Sequence, residues 1–123
     1  MSGVSGAKTI LLVEDDQAIR ETMAALLVDE GFAVEQAKNG AEGLERLRAR
    51  PETSLVLLDL WMPVMNGWQM LEAIFADAQL RAIPIVVISA AGDLPPPAGA
   101  AAYLRKPVRL DALLEAIENH CRR

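Results

Sequence analysis

Leu55-Val56-Leu57-Leu58 is an unbroken apolar run that stops on a carboxylate, Asp59. A run this short and this apolar describes a strand buried on both faces, as in the middle of a parallel sheet. Leu60-Trp61-Met62-Pro63 and then Asn66-Gly67 follow, so the chain turns where the strand surfaces. In open parallel sheets, chemistry collects just outside the carboxyl ends of the strands. Asp59 is therefore a candidate whose weight depends on which other residues reach that edge.

The same signature recurs along the chain. Lys8 to Val13 is a second buried-strand run, and it too ends in acids, Glu14-Asp15-Asp16. Ile19, Met23, Leu26 and Leu27 then make one apolar helical stripe, with Asp16 as N-cap and Gly31 as C-terminal stop. Phe32 to Ala37 is a shorter, more polar strand suited to a sheet edge. Asn39-Gly40 opens a second helix with Ala41, Leu44 and Leu47 inward, ended by Pro51. After the Asp59 strand, a third helix starts near Gly67 with Leu71, Ile74 and Phe75 facing in, and Trp68 reads as packing. Ile83 to Ser89 is a fourth, almost wholly apolar strand, and Ala101 to Leu104 a brief fifth. The last helix carries Leu110, Leu113, Leu114, Ile117 and Cys121 on one face. Arg109 stands where a capping Ser, Thr or Asp would be expected, and His120 in the last turn suits the helix dipole.

Five strands alternating with helices predict an α/β fold. The expected architecture is a flavodoxin-like, doubly wound parallel sheet in the order 2-1-3-4-5. Strands one and three are neighbours in that order, so Glu14, Asp15 and Asp59 meet at one crevice. The segment between Ser89 and Lys106 is short and holds Gly92, Pro95-Pro96-Pro97 and Gly99. Three prolines favour an extended polyproline path and cannot form a helix interior. The fourth helix is thus expected to be shortened or absent.

The totals narrow the function classes. At 123 residues the chain has the size of one domain. Residues 1–7 are expected to form a flexible lead-in without the features of a signal peptide, and 8–123 the domain. No apolar run approaches the roughly 20 residues a bilayer crossing needs, so no membrane association is expected. A single cysteine, Cys121, excludes an internal disulfide and a thiolate metal site and fits a cytoplasmic location. A net charge of −5 disfavours direct nucleic-acid binding by this chain and suits a site that attracts cations.

Two carboxylates about 4 Å apart in a partly screened cleft repel by about 4 kcal/mol. Glu14, Asp15 and Asp59 therefore need positive charge. A hard divalent cation such as Mg²⁺ takes oxygen ligands, and Lys106, at the end of strand five, offers an ammonium. Ser89, at the end of strand four, adds a hydroxyl. Acids, hydroxyl and ammonium at one edge suit phosphoryl transfer, with the Asp59 carboxylate attacking phosphorus in line.

Val13-Glu14-Asp15-Asp16, Leu58 to Pro63 with Asn66-Gly67, Ile88-Ser89-Ala90 and Tyr103-Leu104-Arg105-Lys106-Pro107 together resemble the receiver domain of bacterial two-component response regulators. The resemblance runs from about Lys8 to the C-terminus. It implies a phosphoprotein of phosphorelay signal transduction, in which Asp59 accepts a phosphoryl group from a sensor histidine kinase or a histidine phosphotransfer protein. It implies Mg²⁺ (or Mn²⁺) held by Asp15, Asp59 and the Trp61 backbone carbonyl, with Glu14 acting mainly through water. Lys106 would pair with the phosphate ahead of a cis peptide to Pro107, and Ser89 and Tyr103 would be the switch pair. The protein would modify itself and turn over no external substrate, so an ordinary enzyme is not expected.

The sequence also departs from the family. The surface made by the fourth helix, the fifth strand and the last helix is a common output and dimer face. A homodimer remains open, but loss of that helix counts against the usual one. Trp61 is bulkier than most family members carry two residues past the acceptor, and its ring is expected to shield an acyl phosphate from water. Two rivals remain. An aspartyl phosphatase would place a second acid at position 61, where Trp61 stands. A receiver-like interaction module would work without phosphorylation.

Overall fold

The computed structural model describes residues 8–90 and 98–122. The elements run β1 (Thr9–Val13), α1 (Gln17–Asp29), β2 (Ala33–Ala37), α2 (Gly40–Ala49), β3 (Leu55–Asp59), α3 (Gly67–Phe75), β4 (Ile85–Ser89), β5 (Ala102–Arg105) and α4 (Leu110–His120). All four strand pairings are parallel, and the sheet order is β2-β1-β3-β4-β5, as expected. Among the described residues no helix stands between β4 and β5, in line with the expected loss or shortening. The expectations for residues 1–7 and for Pro95-Pro96-Pro97 lie outside the described residues.

The unbroken apolar runs have a simple cause. Successive side chains of a strand point to opposite faces, and here both faces are covered. Leu11, Val13, Val56, Leu58, Ile85 and Val87 pack with Leu44 and Leu47 of α2 and Met70, Leu71 and Ile74 of α3. Ile10, Leu12, Leu55, Leu57, Val86 and Ile88 pack with Ala24 and Leu27 of α1 and Leu113, Ala116 and Ile117 of α4. Each of the larger apolar side chains contributes roughly 1.5–3 kcal/mol on full burial. The edge strand β2 keeps two adjacent polar residues, Glu35 and Gln36, half-buried.

Local chemistry fixes the helix ends. Asp16 accepts the Ile19 amide at 3.0 Å, and Asn39 accepts the Glu42 amide at 2.8 Å. Asn66 and Gln69 form a reciprocal capping box on α3, satisfying two otherwise free amides. Gly31, past the end of α1, takes the left-handed conformation at φ +100°. Arg109 makes no side-chain cap on α4 and pairs with exposed Asp111 at 3.1 Å.

Four inward placements differ from the helical pattern. Ala41 is exposed, and Gly40 and Gly43 are the buried small residues of α2 instead. Ile19 and Leu26 of α1 remain 45% and 39% exposed, and Leu110 of α4 37%. With Met23, Pro107 and Val108 these three line a cavity of about 510 Å³ beside Glu14 and Lys106. The periodicity marks these positions as apolar, but here the stripe lines a cavity.

The loop after β3 is tightly fitted. The Gly67 amide donates to the Leu60 carbonyl at 2.8 Å, and the Gly40 amide to the Met65 carbonyl at 2.9 Å. Val64, within this loop, has φ +69°, a strained conformation for a β-branched residue. A Cβ at Gly67 would lie 2.7 Å from the Asp59 carbonyl oxygen and 2.7 Å from the Leu60 Cα. Those are backbone atoms that cannot swing aside. Gly67→Ala is therefore expected to cost about 1–3 kcal/mol. Gly43→Ala, which meets chiefly the movable Met70 side chain, should cost less, and urea denaturation of both variants makes the comparison.

Candidate functional site

The sheet register assembles the site. Val13 pairs with Leu58, so Glu14 arrives level with Asp59. Asp59 pairs with Ile88, placing Ser89 one step beyond it. Ser89 pairs with Arg105, placing Lys106 one step further. Glu14 continues the alternation of Ile10 and Leu12, and Asp59 that of Leu55 and Leu57, so both carboxylates lean towards the α1 and α4 side.

Glu14 and Asp59 are each only 4% exposed, while Asp15 is exposed. One carboxylate oxygen from each of the three lies within 4.8 Å of the others. Lys106 Nζ stands 3.2 Å from Asp59 Oδ1 and 3.8 Å from Glu14 Oε1. The Lys106 backbone amide donates to the Ser89 carbonyl at 2.8 Å, tying it to the end of β4. The peptide from Lys106 to Pro107 is cis. Ser89 is half-buried at the end of β4, and Tyr103 on β5 is 42% exposed. Trp61 is 54% exposed.

Arg20 is the residue that sequence reasoning missed. Its guanidinium donates to the Glu14 carbonyl at 2.9 Å and to Gln36 Oε1 at 3.1 Å. The Asp16 amide donates to Glu14 Oε2 at 3.1 Å. Glu14 is thus held by both backbone and side chain. The available signal was an arginine one helical turn past the Asp16 cap, which is also a commonplace surface pattern.

The electrostatics follow from burial. Loss of solvent pushes the Glu14 carboxyl up from 4.5 to about 7, against the pull of the Asp16 amide and with the help of Asp59. Burial likewise raises Asp59, opposed by Lys106. Burial works to lower Lys106, but Asp59 and Glu14 outweigh it and raise its pKa. One ammonium against three carboxylates leaves the cluster short of positive charge. Its donors are all oxygens, the set that hard cations such as Mg²⁺ take, so the residues fit a divalent ion.

The chain matches the family model for the response regulator receiver domain over residues 10–118. It is 36% identical over 117 residues to the transcriptional regulatory protein GlrR of Escherichia coli, covering 89% of this chain and 25% of GlrR. It is 43% identical over 84 residues to response regulator RR06 of Streptococcus pneumoniae, covering 68% of this chain and 37% of that protein. The chain therefore spans a minor part of these curated relatives. A receiver domain protein of Clostridium thermocellum superposes with a TM-score of 0.85 at 28% identity, covering 92% of this chain and 93% of that one. The chemotaxis protein CheY4 of Vibrio cholerae gives 0.83 at 26% identity, covering 94% and 99%. The chain belongs to the receiver-domain family of two-component response regulators. It is a signalling domain with the acidic pocket of that family. Among the described residues no helix is long and apolar enough to cross a membrane.

The raised Glu14 pKa has a consequence for stability. The folded state holds this proton up to about pH 7, whereas the unfolded chain releases it near 4.5. Between those values the folded state binds more protons, so stability falls as pH rises. The effect is on the order of 3 kcal/mol at most. Thermal unfolding in EDTA is expected to show a lower melting temperature at pH 8 than at pH 5. Glu14→Gln should flatten that slope, and millimolar Mg²⁺ should raise the melting temperature more at pH 8.

Proposed function

We propose that this chain is a phosphoacceptor domain, taking a phosphoryl group from a histidine-bound donor onto Asp59 and thereby changing which partner it binds. The observation that carries the reading is Lys106 Nζ at 3.2 Å from Asp59 Oδ1, within a cluster of oxygen donors. The donor is a phosphohistidine on a sensor kinase or a phosphotransfer protein. The domain comprises residues 8–123 and works in the cytoplasm, with no external substrate turned over.

In the transfer an Asp59 carboxylate oxygen forms a bond to phosphorus in line with the leaving imidazole. The P–N bond breaks, and its electron pair returns to the histidine nitrogen. The Lys106 ammonium pairs with the phosphoryl oxygens and replaces the contact it makes with free Asp59. Ser89 donates its hydroxyl to another of those oxygens, and Tyr103 turns inward into the space this vacates. Glu14, Asp15, Asp59 and the Trp61 backbone carbonyl would hold Mg²⁺ or Mn²⁺, which supplies charge neutralisation for carboxylates and phosphoryl oxygens alike. Arg20 keeps Glu14 in place while Asp59 changes charge.

A small phosphodonor such as phosphoramidate with Mg²⁺ is expected to add the mass of one phosphoryl group. Asp59→Asn should abolish the addition, and Lys106→Ala should weaken the response of partner binding to it. A folded wild-type protein that never gains the mass would favour the phosphorylation-independent interaction module.

A further inference from the structure

Glu14 is fastened at each of its polar groups, and the fastenings come from different parts of the chain. Its amide donates to the Ala37 carbonyl, at the end of β2, at 3.0 Å. Its side chain accepts the Asp16 amide at 3.1 Å and faces Lys106 Nζ at 3.8 Å. Its carbonyl is held in another way. Val13 pairs with Ala37 in the parallel ladder, so the next rung would bring the Asn39 amide to the Glu14 carbonyl. But β2 stops at Ala37, and Asn39 turns away to cap α2. The Arg20 guanidinium takes the place of that amide, donating to the Glu14 carbonyl at 2.9 Å. A second edge of the same group donates to Gln36 Oε1 at 3.1 Å. Gln36 stands on β2 beside Ala37, half-buried, so the sheet edge holds the arginine that holds the end of β1.

The Glu14 carbonyl and the Asp15 amide belong to one planar peptide unit. A donor that fixes the carbonyl therefore fixes the orientation in which Asp15 leaves the strand. Asp15 is exposed, yet one of its carboxylate oxygens lies within 4.8 Å of oxygens of Glu14 and Asp59. A guanidinium carries its donors in a rigid fork, so Gln36 at one edge sets where the other edge points. We propose that Arg20, steered by Gln36, is the positioning residue that keeps Asp15 turned into the acidic cluster and thereby sets the cluster's affinity for a divalent cation. This rests on the reading above in which Glu14, Asp15 and Asp59 hold such an ion. Arg20 has donors only and is no ligand itself. It acts through the peptide between Glu14 and Asp15.

The test titrates Mg²⁺ alone, with no phosphodonor, into metal-free wild type, Arg20→Lys, Gln36→Met and Glu35→Gln, and measures affinity by calorimetry. Arg20→Lys keeps the charge but not the fork. Gln36→Met keeps the length but not the acceptor. Neither changes the charge near the ion, so a change in affinity reports position. Each is expected to raise the Kd for Mg²⁺ about tenfold, the lower end of what losing a supporting partner costs a metal site. Before any metal is added, the NMR resonance of the Asp15 amide should already be displaced in both variants. Glu35→Gln removes the partner of Arg50 on the same strand, a contact of 2.7 Å. It should leave the Kd and that resonance at their wild-type values. If Gln36→Met does not fold, Arg20→Lys decides. A wild-type Kd in the folded Arg20 and Gln36 variants would overturn the proposal and leave the metal-holding and phosphoacceptor readings standing. An equal loss of affinity in Glu35→Gln would overturn it too, because it would mark a general loosening of β2. A wild type that binds no Mg²⁺ would overturn both the proposal and the metal-holding reading.

Discussion

The contact between Lys106 and Asp59 is the constraint around which the edge of the sheet is built. A carboxylate 4% exposed is expensive to keep ionised, and Glu14 beside it makes matters worse. The ammonium at 3.2 Å relieves part of that cost, and it is delivered by the far side of the sheet. Lys106 follows β5, while Asp59 ends β3. The pairing therefore exists only if β4 and β5 add in register, and the amide of Lys106 is fastened to the end of β4 for that purpose. Fold and charge balance are one problem here.

The remaining imbalance explains why the cluster suits a signal. Three carboxylates and one ammonium are tolerable as a resting state when a proton or a cation completes the set. Adding a phosphoryl group alters both the charge and the hydrogen-bonding demand at the point where the strands end. Such a change can be felt across β4 and β5 because both are tied to the same lysine. The described part of the β4–β5 connection contains no helix.

The architecture was legible because its causes are periodic. Strands buried on both faces write continuous apolar runs, and Leu55 to Leu58 and Ile85 to Ile88 do so plainly. Helix starts were marked by Asp16, Asn39 and Asn66, each of which carries its capping bond. The meeting of Glu14, Asp15, Asp59 and Lys106 followed from topology, since each stands at a strand's end. What the sequence concealed was relative placement between elements. Ile19, Leu26 and Leu110 have core chemistry, but they line a cavity, which no periodicity records. Ala41 looked inward by type, whereas α2 approaches β1 and α3 so closely that glycines occupy the contact. The Arg20 contact depends on a turn bringing a side chain back to Glu14.

The alternation that sends Glu14 and Asp59 to the same side has a genetic corollary. Substitutions within β1 or β3 change volume and can be absorbed in part by repacking. Insertion or deletion of a single codon there would exchange the two faces of the strand downstream. The carboxylate would then be delivered to the layer of α2 and α3, away from its lysine, while apolar side chains took its place. These strands should accept variation in spelling far more readily than variation in length.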